Sequence, residues 1–418
     1  MTGQRVRRRA LAWLLRAAIG AVVILAPTEI ALRLARPYSQ SLRYLLYDSS
    51  VPAAFAPISS LPELMDTSVL GWAPLQERDG YVLNSRSLPT AEYEQRKAPG
   101  TVRIIALGDS FTFGRFPVTR HWTTLVAAGL EQRIGEPVEL VRLGVPGTGP
   151  QFQLRLFEIE GAKLAPDLVV LAFYVGNDFF DQLGGTFVHG WFDQLALALR
   201  ARSLAWRFAA NLRLVSGKVA GVAPPSRFPA PAGAGSPVGG HEVEGFARDF
   251  DEQAPSFTED GYAYLEATRL SLCLAGEEGR FRVRLAQVLD ALDELIEQVR
   301  QSGAQLAVMV IPDEYQVDRS VFATAARRAG MRPEDYDLER PQKALVEVLT
   351  ARSIPVLDLL PASRRAAVDG PLYMPRNTHW NSAGNRLAAA ELVRFLLERG
   401  LVPPISGLPG TDRGARSR

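Results

Sequence analysis

The sequence is poor in sulfur, in histidine and in net charge. Cys273 is the one cysteine among 418 residues, which excludes an intramolecular disulfide framework and any multi-cysteine metal site. Such a thiol is expected to be buried as a small apolar group, and it leaves the compartment open. Lys and Arg number 47 against 45 Asp and Glu, a net charge of +2, so no overall electrostatic footprint points to nucleic acid. Histidine occurs four times, at 121, 189, 241 and 379. No cluster of His and carboxylates has metal-ligand spacing, and no metal is expected. Internal repeats are also absent.

What is present is a 47% hydrophobic content, enough for a packed core in one large domain or two ordinary ones. At the N-terminus, Arg5, Arg7, Arg8 and Arg9 precede a stretch from Ala10 to Ala26 whose sole charge is Arg16. As a helix this stretch would reach about 26 Å, slightly short of a hydrocarbon core of about 30 Å. Extension toward Leu34 or snorkelling of Arg16 covers the shortfall. Residues 1–36 are therefore expected to be a basic cytoplasmic tip and a single-pass membrane anchor, with the rest of the chain on the extracytoplasmic side. The competing readings are a cleaved signal peptide, although no A-x-A-like site follows Ala26, and a buried amphipathic helix.

Residues 37–100, rich in Pro, Ser and isolated aromatics, read as a stalk that packs on the domain. From Val102 onward, five apolar strand-like runs, Val102 to Leu107, Val138 to Leu143, Leu168 to Tyr174, Gln305 to Ile311 and Ile354 to Leu359, alternate with helical periodicity. The helical stretches are His121 to Ile134, Gln151 to Lys163, Phe281 to Ser302, Pro341 to Arg352 and Ala383 to Gly400. This alternation predicts an α/β domain over 101–400 with a parallel five-stranded sheet covered on both faces. The interval between the third and fourth runs is too long for one crossover, so 181–280 is expected to be a helical insertion. Within it, 223–240 has linker composition and Ser256 to Leu274 resumes a helical pattern. It is either a lid beside the site or a surface insertion with no catalytic part. Residues 401–418 read as a flexible tail.

Ligands in such sheets bind at the carboxyl ends of the strands, where four residues fit one chemistry. Ser110, in Gly-Asp-Ser-Phe-Thr-Phe-Gly after the first run, is the candidate nucleophile. His379, in Asn-Thr-His-Trp-Asn before the last helix, is the candidate base that takes its proton. Charge developing on an acyl oxygen needs donors fixed in advance. The backbone N–H groups of Ser110 and Gly147 and the side-chain amide of Asn177 are the candidates. Asp109 and Asp178, beside Ser110 and Asn177, are expected to bind loop N–H groups rather than to transfer protons. Spacing does not place His121, His189 or His241 to act as the base. Trp380 either lines the pocket or anchors the final helix.

In this order the residues resemble the SGNH, or GDSL, hydrolases from about Val102 to Leu397. Gly108-Asp109-Ser110 is similar to the first block of that family, Gly147 to the second, Gly176-Asn177-Asp178 to the third and His379 to the fifth. The resemblance implies a flavodoxin-like three-layer α/β/α fold and serine-dependent hydrolysis or transfer of acyl esters without a cofactor. The anchor, the insertion and His-Trp-Asn-x-x-Gly are similar to bacterial membrane-anchored or periplasmic branches acting on acylated glycans, among them O-acetyltransferases of the alginate type, which implies that the anchor lies in a bacterial inner membrane. The expected partners are thus an acylated carbohydrate or small ester and a membrane. Protein partners are not legible in these residues.

The sequence departs from the family where a carboxylate should orient the histidine. Asn377 stands two residues before His379 and Arg376 three before, and neither is acidic. Three outcomes follow: a Ser-His dyad with the ring oriented by Asn377 or a backbone carbonyl, a substitute acid among Asp313, Glu314 and Asp358, or a largely inactive site. The last would make the protein a non-catalytic carbohydrate binder.

Overall fold

The computed structural model describes residues 26–35, 75, 77–180, 204–205, 243 and 245–402. They fall into two compact units, one drawn from 1–73 and 183–236, the other from 74–182 and 237–418.

In the first unit, residues 26–35 form a helix. Glu29 pairs with Arg33 at 2.7 Å and accepts the N–H of Ala205 at 2.9 Å. The membrane helix expected over Ala10 to Ala26 lies, apart from Ala26, outside the described residues. Among the described residues no helix is long and apolar enough to cross a membrane.

The second unit is built on a five-stranded parallel sheet of β1 (Val102–Gly108), β2 (Val138–Gly144), β3 (Leu168–Tyr174), β4 (Gln305–Ile311) and β5 (Val356–Asp358), ordered β2-β1-β3-β4-β5. This is the flavodoxin-like order, with the chain reversing its winding direction at β1 and β3. The runs become central strands because both of their faces are apolar. Ile104 and Ala106 of β1, with Leu168, Val170 and Ala172 of β3, join one buried core, while the alternating Ile105, Leu107, Val169, Leu171 and Phe173 are buried on the other face. A strand buried on both sides needs helices on both sides.

One face packs against α1 (Trp122–Ile134), and the other against α2 (Pro150–Ile159). Next come α3 (Glu259–Leu270), which falls within the expected insertion, and α4 (Glu278–Gln301), which packs on α2 and β4. α5 (Arg319–Ala329) and α6 (Arg340–Ala351) follow, and α7 (Ser382–Glu398) closes the domain beside α1. All five strands and the five long helical stretches match the sequence reading to within a few residues. β5 is shorter than its apolar run because Pro355 has no N–H to donate, and the strand begins after it.

Residues 77–100 pack onto this unit. Tyr81 is fully buried and its hydroxyl donates to the carbonyls of Gly114 and Phe116, just past the Ser110 turn.

Candidate active site

Ser110 opens a single helical turn, Ser110–Phe113, at the carboxyl end of β1. The turn sits directly on the strand ends because Gly108 and Gly144, which face each other across β1 and β2, carry no side chain. A Cβ on Gly108 would collide with Thr112, and one on Gly144 with the backbone of Thr112 and Phe113. Asp109 caps the turn, its Oδ1 accepting from the N–H of Phe111 at 2.9 Å. Its Oδ2 accepts from Nδ2 of Asn177 at 2.7 Å, which ties the first strand end to the third. Asp178 accepts from the N–H of Tyr174 at 2.8 Å and from Gln153 at 3.3 Å. Both aspartates are fully buried and hold loop N–H groups, the geometry anticipated for them.

His379 is presented by a hairpin in which Tyr373 pairs with Trp380 and the N–H of Met374 bonds to the carbonyl of His379 at 3.0 Å. Asn381 closes this hairpin. Its Oδ1 caps α7 by accepting from Ala383 and Gly384, and its Nδ2 donates to the carbonyl of Pro371 at 2.7 Å. Gly384 is small because a Cβ there would strike the carbonyl of Leu372 and the Trp380 ring. Trp380 itself is 3% exposed and lies edge-on to Phe111, with ring centres 4.9 Å apart. It anchors the hairpin and also lines the pocket.

The imidazole of His379 lies 5.2 Å, centre to centre, from the Phe111 ring. Its Nδ1 lies 2.8 Å from Oδ1 of Asn377, which also accepts the His379 backbone N–H at 3.0 Å. An amide oxygen only accepts, so the network assigns the ring proton to Nδ1. Nε2 then carries the lone pair; it is buried and has no hydrogen-bond partner among the described residues. Ser110 and His379 line one pocket, together with Phe111, Arg115, Phe116 and His121. They are not within hydrogen-bond distance, a separation common in such sites before substrate tightens them. Burial, then Arg115 and Arg269, hold the His379 pKa down to about 3.

Of the oxyanion candidates, the N–H groups of Ser110 and Gly147 donate to no acceptor among the described residues. Gly147 is exposed, in the left-handed region at φ 69°, with open space where a Cβ would lie. Asn177 directs one amide hydrogen to Asp109, and its Oδ1 is buried without a partner among the described residues. Gly147 and Asn177 lie outside the pocket that Ser110 and His379 share.

None of the three alternative acids bonds to His379. Asp313 caps the turn at Glu314 and lies 3.7 Å from Arg269. Glu314 accepts from the hydroxyl of Tyr262, and Asp358 accepts from the N–H of Leu360 at 2.9 Å. His121, read from sequence as merely a helix start, does cap α1 but also forms part of the pocket wall. Both of its ring nitrogens are engaged, Nδ1 by Thr123 and Nε2 by the Phe111 carbonyl at 3.0 Å, so it has no lone pair to offer. His189 and His241 lie outside the described residues. Cys273 is fully buried, and burial pushes its thiol up to about 12, which keeps it protonated and inert. Among the described residues no group of three or more His, Cys, Asp or Glu is placed to hold a metal ion.

Sequence reasoning missed the segment that backs the histidine hairpin. Ser256 accepts from Nδ2 of Asn377 at 2.6 Å, Phe257 bonds to Arg376, and Glu252 accepts from the N–H and hydroxyl of Ser382 at 2.8 Å each. Ser256 and Asn377 are 121 residues apart, and no local spacing announces such a pair.

Residues 277–413 match the family model described as the SGNH hydrolase-like domain of acetyltransferase AlgX, a span that includes Asn377 and His379. No curated protein matches the chain. Among solved structures, an acetyl xylan esterase, AlAXEase, is 13% identical, with 70% of this chain and 98% of that one covered at a TM-score of 0.35. A lipolytic protein of the G-D-S-L family from Veillonella parvula is 14% identical, with 70% and 97% covered at 0.35. A lipase/acylhydrolase from Enterococcus faecalis is 16% identical, with 71% and 96% covered at 0.33. The matched span includes the histidine hairpin and the helices around it, and over these residues the chain is similar to the SGNH hydrolase-like domain.

Proposed function

We propose that this protein is a serine esterase that cleaves acyl, in the first instance acetyl, esters on a carbohydrate of the cell envelope or an exported glycan. The observation that carries this reading is the His379 ring. Its Nδ1–H is held by Asn377, and its buried Nε2 has no hydrogen-bond partner among the described residues in the pocket that Ser110 lines. In the proposed reaction Nε2 takes the proton of the Ser110 hydroxyl as Oγ attacks the acyl carbon. The N–H groups of Ser110 and Gly147 and the Asn177 amide receive the negative oxygen. The imidazolium returns its proton to the leaving sugar oxygen, and water, activated in the same way, releases the acid from the acyl-enzyme.

The family description favours a second outcome of the same chemistry. A sugar hydroxyl in place of water would make the enzyme an O-acetyltransferase, and exclusion of water from the acyl-enzyme would decide between them. In either case the basic cluster at 5–9 and the apolar stretch 10–26 support an anchored domain on the extracytoplasmic side.

Full-length protein incubated with a fluorophosphonate probe and, separately, with a small acetyl ester tests the assignment. Labelling at Ser110, with both labelling and turnover lost in Ser110→Ala, is the expected result; an alanine variant that hydrolyses as fast as the parent overturns it. Free acetate against acetylated glycan then separates hydrolase from transferase, and a chain that neither labels nor turns over is a non-catalytic binder.

A further inference from the structure

We infer that Ser256, supplied by the insertion, is a positioning residue for His379, acting through Asn377. The inference rests on the reading of His379 as the base. The contacts form a line: His379 Nδ1–H to Asn377 Oδ1 at 2.8 Å, then Asn377 Nδ2–H to Ser256 Oγ at 2.6 Å.

An amide in this place differs physically from a carboxylate. A carboxylate attracts the imidazolium by charge and offers acceptors on both oxygens, so its aim is forgiving. An amide has one accepting end and no charge, so it must be held with that end toward the ring. Asn377 is half-buried and follows Arg376, a non-glycine residue at φ 44° in the hairpin. The His379 backbone N–H fixes which end of the amide is the oxygen. Ser256 fixes the other end.

Ser256 is itself held independently of Asn377. The N–H of Phe257 donates to the carbonyl of Arg376 at 3.2 Å, and Nε of Arg376 returns a bond to the carbonyl of Phe257 at 2.9 Å. On the other side of His379, Glu252 accepts both donors of Ser382 at the start of α7, where a helix N-terminus favours an anion. The segment from Glu252 to Phe257 thus grips the hairpin before and after the histidine, with Ser256 pressed against the orienting amide. This gives the insertion a part in catalysis that needs no motion.

The test uses Ser256→Ala, Ser256→Thr, Asn377→Ala and the Ser256→Ala/Asn377→Ala pair in the full chain, with Ser110→Ala as reference. Ser256→Ala should lower kcat on a small acetyl ester about three- to ten-fold, the rate equivalent of one hydrogen bond. KM should stay within two-fold and Tm should be unchanged. Fluorophosphonate labelling of Ser110 should slow by the same factor, and the acid limb of kcat/KM should move to lower pH, because a looser Nδ1–H bond stabilises the imidazolium less. Ser256→Thr should restore most of the rate. In the Asn377→Ala background the serine change should have no further effect. A Ser256→Ala protein with parental kcat and labelling rate overturns the inference, as does an undiminished loss in the Asn377→Ala background. A Ser110→Ala protein that keeps turnover instead defeats the serine-esterase reading on which the inference rests.

Discussion

His379 donates its Nδ1–H to the side-chain oxygen of Asn377, at 2.8 Å, and to no carboxylate. The amide supplies direction but no charge, so the imidazolium formed in the proposed attack is stabilised less than it would be by an aspartate. In serine proteases the corresponding loss of charge costs about 10⁴ in rate. Asn377→Asp should therefore raise turnover of a small acetyl ester, by about ten-fold or more within that bound, and raise the His379 pKa so that the acid limb moves to higher pH. The Ser256 hydroxyl can follow the change by donating where it now accepts. Initial rates from pH 4 to 9 check this; unchanged rate and limb would mean that Asn377 does not govern the ring.

The depressed pKa of His379 has a consequence for stability. Burial and two arginines hold it near 3, below its ordinary 6.5, and burial holds His121 down as well. The native state then binds these protons less tightly than the unfolded chain does, so the contribution is complete above about 6.5 and is lost as pH falls toward 3. The denaturant midpoint should decline from pH 7 to 4, and His379→Gln should make that decline shallower. A parallel decline in both proteins would remove His379 as a cause.

Asp109 holds Asn177 in the orientation that its proposed oxyanion role requires. A carboxylate only accepts, so Asn177 must turn its Nδ2 toward it. An asparagine at 109 would offer an NH₂ group, to which Asn177 would turn its buried Oδ1, unpartnered among the described residues, reversing the amide. Asp109→Asn should lower kcat by about 10²- to 10³-fold, the effect of losing one such donor. Stability should move the other way. Burial raises the Asp109 pKa to about 6 from 3.8, so ionisation costs native stability as pH rises through that window. The variant should melt no lower than the parent at pH 8, with the difference shrinking below pH 4. Turnover that survives the change would exclude Asn177 as a donor.

The frame of the site was legible because each part has a local signal. β-Branched and apolar runs ending in Gly108, Gly144 or Tyr174 mark strands buried on both faces, and Ser110, Gly147 and Asn177 follow them directly. Asn377 was legible as a departure, but which of three outcomes it implied was not, because that depends on where Asp313, Glu314 and Asp358 point. The helix Arg319–Ala329 was not legible because it is short and polar overall, with only two alanines, Ala325 and Ala326, buried. Ser256 was invisible because its partner is brought to it only by the fold.

Gly144 has the same dependence on tertiary packing, and it links stability to chemistry. The space for its Cβ is occupied by the backbone of Thr112 and Phe113 in the turn that carries Ser110, and backbone atoms cannot swing aside as a side chain can. Gly144→Ala must push the turn off the strand ends or distort β2, at a cost of about 1–3 kcal/mol by analogy with overpacked cores. Because the displaced element holds the proposed nucleophile, turnover should fall further than the stability loss implies, by about 10²-fold for a shift of about 1 Å. Gly135→Ala is the control. Gly135 ends α1 in the left-handed region at φ 72°, with nothing near its Cβ position, so its replacement should reduce stability while leaving kcat of the folded protein intact. Denaturant titrations beside kcat for the two variants make the comparison, and equal kcat values would show that the Ser110 turn tolerates displacement.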